Sequence, residues 1–350
     1  MDLALYAPGL GYYAAGARKF GAAGDFVTAP EISSLFGKTL ANSIADVLRQ
    51  TGGDVLELGP GSGRLATDIL LALDEMGVLP QRYRLLEVSA DLRERQRNAI
   101  DALPAHLASR AEWLDALPVD FTGVIIANEV LDVVPVHLVG WHGDEMFERG
   151  VALEDGRFVW QDAPATNPEI TARLAEIRRR HLSDAPPENY LTEIAPAVTG
   201  LVSSLARSLT HGAMLLIDYG FRGGEYYHPG RDTGTLMCHY RHFAHPDPFQ
   251  FPGLQDITAH VDFSDVAKAG INAGLDLAGY TTQANFLLAS GLTDCLAKVD
   301  PRDAANYLPL TNQLQRLVSP AEMGEFFKVI GFTRDAVTMA AFAKARALPL

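Results

Sequence analysis

Apolar and polar positions along the chain fall into blocks of two different periods. Short apolar runs at 54–58 (DVLEL), 83–88 (YRLLEV), about 109–113, 123–127 (GVIIA) and 213–218 (AMLLID) have the length and composition of strands buried on both faces. Residues 64–76 and 90–101 carry apolar positions at helical spacing, and Ser89 is a candidate N-cap for the second stretch. Strands separated by helices of that length predict βαβ units and a parallel sheet. Two more strands are expected at 276–283 and 326–333, for a total of seven.

Two long stretches interrupt this order. Residues 136–210 alternate like antiparallel strands with turns at 142–144 and 154–156, then continue as polar helices at 167–181 and 196–209. Residues 219–261 are rich in Gly, Pro, Tyr and His and follow the carboxyl end of a sheet strand, where open α/β sheets bind ligands. Long loops at that edge serve as substrate walls. The expected organisation is a lid segment at 1–50, a Rossmann-like core at 51–135, an inserted hairpin with helices at 136–210, and the rest of the sheet at 211–350 with the loop 219–261.

The stretch VLELGPGSGRLATDIL (55–70) places Gly59, Gly61 and Gly63, with Pro60 and Ser62 between them, where strand turns into helix. Read from Gly61, it fits a relaxed dinucleotide fingerprint, which makes an NAD(P)-dependent oxidoreductase one reading. Read from Glu57, a carboxylate precedes the glycines. A diphosphate is repelled by such an acid, whereas a cationic ligand is attracted, and S-adenosylmethionine carries both a sulfonium and an ammonium. Glu87, at the tip of the second strand, can accept both ribose hydroxyls in either case. After the third strand, Trp113, Leu114 and Asp115 are candidates to pack and recognise adenine. Asn128, Glu129 and Asp132 follow the fourth apolar run, at the mouth of the crevice. The arginines of LRERQR and EIRRRH are read as solvated helix faces.

Composition narrows the partners. The 350 residues are 48% hydrophobic, enough for a substantial core, and the formal charge of -14 argues against nucleic acid while suiting a cationic small molecule or a basic peptide. No apolar run approaches the ~18 residues of a membrane span, and the start MDLALYAPGLGYY resembles neither a signal peptide nor a transit sequence, so a cytoplasmic protein is expected. Cys238 and Cys295 imply no disulfide framework. In CHYRHFAHP, residues Cys238, His239, His242 and His245 would share a face on a helix, but Pro246 and the aromatics predict an irregular loop, and no metal is expected.

These stretches together resemble the MidA-type methyltransferase family. The resemblance runs through GYY (11–13), FGAAGDFVTAPEISSLFG (20–37), the glycine stretch, LLEVSADLRERQ, IIANEVLDVVPV, LLIDYGF, GTLMCHYRH and PGLQDITAHVDF. Against the family pattern, no helix is expected before the YAPGLGYY segment. Mitochondrial members are arginine methyltransferases needed for assembly of respiratory complex I. The resemblance implies a class I methyltransferase fold, an α/β Rossmann-like seven-stranded mostly parallel sheet whose two large insertions form a substrate-binding cap. It also implies bound S-adenosylmethionine and symmetric dimethylation of an arginine in a complex I type subunit. By the same resemblance Asp25, Thr28 and Glu31 line the site beside Tyr219, although Thr28 and Glu31 also have capping-box spacing. Guanidinium stays protonated in proteins, so its methylation calls for acids that hold its charge and take its proton. Glu129 resembles the first such acid, and Asp132 and Asp218 are both candidates for the second. A non-catalytic assembly factor with a vestigial nucleoside site is the remaining alternative.

Overall fold

The structure is a computed structural model and describes residues 1–14, 27–182 and 187–350. Its strands are β1 (Asp54–Leu58), β2 (Tyr83–Leu86), β3 (Ala111–Leu114) and β4 (Phe121–Asn128), then β5 (His137–His142), β6 (Glu145–Glu154), β7 (Arg157–Pro164) and β8 (Asn189–Ile194). There follow β9 (Leu209–Phe221), β10 (Met237–Tyr240), β11 (Phe243–His245), β12 (Asp256–Thr258), β13 (Val261–Asp262), β14 (Asp276–Thr282) and β15 (Phe327–Arg334). The main sheet has the order β14-β15-β9-β4-β1-β2-β3, and the two-residue β13 pairs with β9. From β9 to β3 the strands run parallel, while β15 lies antiparallel between β9 and β14.

The apolar runs are continuous because helices cover both faces of the sheet. Val124 and Ile126 of β4 face the helices Ser34–Thr51 and Arg64–Glu75, and the alternate residues Ile125 and Ala127 face Pro196–Ser208 and Phe263–Asn272. Helix Ser34–Thr51 starts at Ser33, whose hydroxyl accepts the Leu35 N–H at 3.2 Å, and stops at Gly52 in the left-handed region. Helix Ala90–Asp101 begins after Ser89 as its sequence predicts.

Some boundaries differ from the sequence expectation. The second strand ends at Leu86, which leaves Glu87 and Val88 beyond its tip, and the third begins at Ala111. The fifth core strand, expected at 213–218, runs the 13 residues of β9, because β4 and β15 pair with it on both sides. The stretch 219–261 is not one loop: β10, β11 and β12 form a small antiparallel sheet within it. A short helix, Asp2–Tyr6, precedes the APGLGYY segment. In the first insertion the strands β7-β6-β5-β8 form an antiparallel sheet, with Asp155 and Gly156 both at positive φ in its second turn. Among the described residues no helix is long and apolar enough to cross a membrane.

Candidate active site

Register fixes where the acids emerge. Leu58 of β1 lies beside Ala127 of β4, and Asn128 lies beside Ile217 of β9, so Gly59 and Glu129, where β1 and β4 end, come out at one edge of the sheet level with Asp218 of β9. A cavity of about 940 Å³ opens there, between the strand tips, the N-terminal segment and the β10–β12 sheet.

The side nearest β1 is built on glycine and acid. Gly59, Gly61 and Gly63 all have positive φ. A Cβ on Gly63 would stand 3.1 Å from the Cα of Gln96, so this glycine allows helix Ala90–Asp101 to pack against the turn. Gln96, fully buried, donates to the Gly61 carbonyl (2.9 Å) and to Glu87 Oε2 (3.1 Å), and accepts the Trp113 indole N–H (2.9 Å). Glu87 Oε1 accepts the Ser89 N–H at 2.8 Å, which fixes that carboxylate at the tip of β2. Glu57 accepts the Tyr83 hydroxyl at 2.6 Å, and burial pushes its carboxyl up to about 7. Ser62 donates its hydroxyl to Glu31 Oε1, tying the N-terminal segment to the glycine turn. Thr28 also lines the cavity; it precedes helix Ala29–Ile32 without a side-chain cap, so the capping-box spacing is not used as one.

The side nearest β4 and β9 carries the second group of acids. Glu129 has φ +55, a left-handed conformation that costs on the order of 1 kcal/mol for a residue other than glycine. Its Oε1 accepts the Ala29 N–H (3.3 Å) and the Asn128 side-chain amide (3.1 Å). Burial and then the neighbouring Asp132 carboxylate push Glu129 up to about 8. Asp132, only 4% exposed, is pushed up to about 6 by burial, against which the Tyr219 hydroxyl donates to it. Its Oδ1 is buried without a hydrogen-bond partner. Thr258 in turn is hydrogen-bonded to Tyr219.

Asp218 stands apart from this pair. It is fully buried, and its Oδ2 accepts the backbone N–H groups of Val130 (3.1 Å), Leu131 (2.8 Å) and Asp132 (3.3 Å), while Oδ1 accepts that of Tyr219 (2.9 Å). The carboxylate therefore closes the turn after β4 and does not reach the cavity, because the four donors fix its orientation toward the backbone. This corrects its reading as a reacting acid. Leu114 and Asp115 are likewise held outside the cavity: Arg93 donates to the Leu114 carbonyl and pairs with Asp115, both at 2.7 Å. Arg93 also donates to the Glu87 carbonyl at 2.7 Å, so it is a clamp between strand tips and not the solvated side chain expected. Asp25 lies outside the described residues.

The cavity also has walls that sequence reasoning missed. Tyr6 donates to the Val133 carbonyl and Tyr13 to Asp256 Oδ1, both at 3.0 Å, and the two rings stack with centroids 5.7 Å apart. Asp256, 2% exposed, adds a further carboxylate to the cavity. From the inserted sheet, Glu193 accepts the Thr235 N–H (2.7 Å), the Leu236 N–H (3.0 Å) and the Tyr226 hydroxyl (3.1 Å), holding residues 233–237 as a wall. Gly234 makes this contact possible, since its φ is +78 and a Cβ there would fall 2.4 Å from Glu193 Oε1. Gly234→Ala is expected to lower stability by about 2 kcal/mol, as melting curves would show.

The segment CHYRHFAHP forms the hairpin of β10 and β11, not an irregular loop, and strand alternation sends Cys238 and His239 to opposite faces. Cys238 is buried, and burial pushes its thiol up to about 12. Among the described residues no group of three or more His, Cys, Asp or Glu could hold a metal ion.

An antiparallel β15 between β9 and β14, beside a parallel β9-β4-β1-β2-β3, is the sheet of a class I methyltransferase. A glycine turn flanked by Glu57 and Glu87 fits the cationic donor of that class, S-adenosylmethionine, better than a diphosphate. The chain belongs to the MidA-type family of S-adenosyl-L-methionine-dependent methyltransferases, whose sequence profile it matches over residues 39–281. It is similar to the mitochondrial protein arginine methyltransferase NDUFAF7 of Rattus norvegicus, 30% identical over 91% of this chain and 76% of the relative. The Caenorhabditis elegans homolog is 28% identical over 85% of this chain and 73% of its own. A Burkholderia thailandensis protein crystallised with S-adenosyl-homocysteine is 50% identical and superposes with a TM-score of 0.93, over 98% of this chain and 89% of that one. The protein is thus a methyltransferase that uses S-adenosylmethionine, and the oxidoreductase reading is set aside. The cytoplasmic expectation is corrected by the relatives, which are mitochondrial; it rested on the character of the N-terminal stretch, which does not determine compartment.

Proposed function

We propose that the protein is a protein-arginine N-methyltransferase and that Glu129 and Asp132 are its pair of acids. The observation that carries this reading is the buried, unpartnered Oδ1 of Asp132 on the cavity wall, beside a second carboxylate on a left-handed backbone. A buried carboxylate oxygen without a donor is costly, and a guanidinium supplies donors in a planar fork that two acids can share. The names of the relatives, protein arginine methyltransferases, agree with it.

On this reading Glu57, Glu87, Asn128 and the turn 59–63 hold the donor, and Thr28, Glu31 and Tyr219 border the acceptor. When bound, S-adenosylmethionine supplies a methyl group carried on a positively charged sulfur. Glu129 and Asp132 hold the guanidinium, and one of them takes the proton that leaves the nitrogen as the N–C bond forms and the C–S bond breaks. Tyr219, with Thr258 behind it, orients Asp132. The product is symmetric dimethylarginine, and the acceptor is a protein of the respiratory complex I type.

The test is labelled methyl transfer to protein extracts, followed by mass spectrometry of proteins from cells with and without the gene. Dimethylarginine at a defined site, present only with the gene, is the expected result. Label on lysine or on a small molecule would refute the arginine reading, and no transfer at all would favour a non-catalytic assembly factor.

A further inference from the structure

We propose that the acceptor side of the cavity contains a carboxylate subsite built on Arg231, which reads an acidic residue flanking the methylated one. The proposal rests on a protein acceptor, as proposed above.

The cavity is lined by six carboxylates: Glu31, Glu57, Glu87, Glu129, Asp132 and Asp256. Two arginines line it as well. Arg64 is neutralised by Asp68 at 2.9 Å. Arg231 pairs with no carboxylate among the described residues; one end of its guanidinium donates to the Glu225 carbonyl, and its face lies 4.0 Å from the centroid of Phe221. Lys328 approaches the same ring, with Nζ 5.7 Å from its centroid. It is buried and donates to the carbonyls of Glu325 and Phe326, while Glu225 and Glu325 act on it only from beyond ion-pair distance. His260 completes the group, with its ring 5.2 Å from Phe221 and a buried Nδ1 that lacks a partner. Burial, then Arg231 and Lys328, hold this imidazole neutral at pH 7.

Two cations around one aromatic ring, beside an unpartnered imidazole nitrogen and without an ion-paired acid, form a positive island at the edge of an acidic cavity, which Arg231 and His260 line and behind which Phe221 and Lys328 lie. Such a patch carries a desolvation cost that an anion would offset. Its position assigns it to the acceptor. Phe221 ends β9, two strands from β1, and Lys328 lies on β15, three strands away, so the patch is roughly 10 to 14 Å from the glycine turn at ~4.8 Å per strand. A polypeptide entering over residues 233–237 would bring its neighbouring side chains past Arg231, whereas Glu129 and Asp132 reject an anion at the reacting position itself.

The experiment titrates four peptides of one sequence against the full-length enzyme saturated with S-adenosyl-homocysteine. The central residue is arginine or norleucine, and it is flanked on both sides by Asp or by Asn. For the wild type, the Asp peptides are expected to bind roughly tenfold tighter than the Asn peptides, as a charge-assisted contact implies. In Arg231→Met that ratio should fall to about one, and Arg231→Lys should keep part of it. Equal binding of Asp and Asn peptides to the wild type, an advantage that persists in Arg231→Met, or absence of binding by both Asp peptides would overturn the proposal. So would a parallel loss of S-adenosyl-homocysteine affinity in Arg231→Met, which would give Arg231 to the donor's carboxylate. The arginine-to-norleucine ratio reports separately on the proposed arginine specificity, so the two readings fail distinguishably.

Discussion

Glu129→Gln is expected to slow methyl transfer roughly a thousandfold, with S-adenosyl-homocysteine bound at its wild-type affinity. Glutamine keeps the size of the side chain and an oxygen for the Ala29 N–H, so the wall between the N-terminal segment and β4 stays closed. On the proposed reading, what disappears is the negative charge that balances the acceptor cation and a site that can take its proton. The donor's partners on that reading are Glu57 on β1, the glycine turn that follows it and Glu87 beyond the tip of β2, and the substitution leaves them untouched. Single-turnover rates with labelled donor and an equilibrium titration with S-adenosyl-homocysteine separate the two effects. Retained turnover would remove Glu129 from the chemistry, and lost donor binding would move it to the donor site.

The pH dependence has a definite sign. Burial and Asp132 raise the Glu129 carboxyl from 4.5 to about 8, so in the free enzyme it is mostly protonated at neutrality and becomes competent only as it ionises. The wild-type kcat/KM is therefore expected to climb with pH through about 8. Stability moves the other way: with the folded-state value raised, this group's contribution is complete below about pH 4.5 and is lost as pH rises through about 8. Melting temperatures should show Glu129→Gln gaining on the wild type across that window.

The parts of this site that were legible in the sequence are those set by backbone demands. A glycine turn after a buried strand and acids just beyond strand tips are local patterns, and they placed Glu57, Glu87, Glu129 and Asp132 at the cavity without any knowledge of the rest of the chain. The sheet was legible for the same reason, down to the distant pair β14 and β15, because apolar runs bounded by polar residues report burial on both faces. Tertiary partners were not. Gln96 and Arg93 sit in a polar helix that reads as solvated, and only folding shows that one face of it meets the glycine turn and the tips of β2 and β3. Asp256 reaches the cavity because a small sheet forms inside a stretch with no clear alternation. Asp218 shows the limit of the strand-tip rule. A carboxylate at such a tip can face ligand or backbone, and here the turn of residues 130–132 presents three N–H groups that decide it.

The second large effect is expected at that clamp. Asp218→Ala should lower the stability of the protein by about 3 to 5 kcal/mol, because it leaves four backbone N–H groups, two buried and two half-buried, without this acceptor, each costing on the order of 1 to 3 kcal/mol, offset in part by no longer burying a carboxyl group beside Asp132 and Glu129. Activity of the fraction that folds should also fall steeply, since the same N–H groups hold the turn that keeps Glu129 at φ +55 and aims Asp132 at the cavity. Asp218→Asn gives the intermediate case. Its amide oxygen can still accept from the turn, but its NH₂ group would then confront the Tyr219 N–H, so a loss of about 1 to 2 kcal/mol is expected with part of the activity retained. Denaturant melts and single-turnover rates on all three proteins order the series as wild type, Asn, Ala in both quantities. An Asp218→Ala enzyme that melts like the wild type and yet transfers no methyl group would make Asp218 a reacting acid after all.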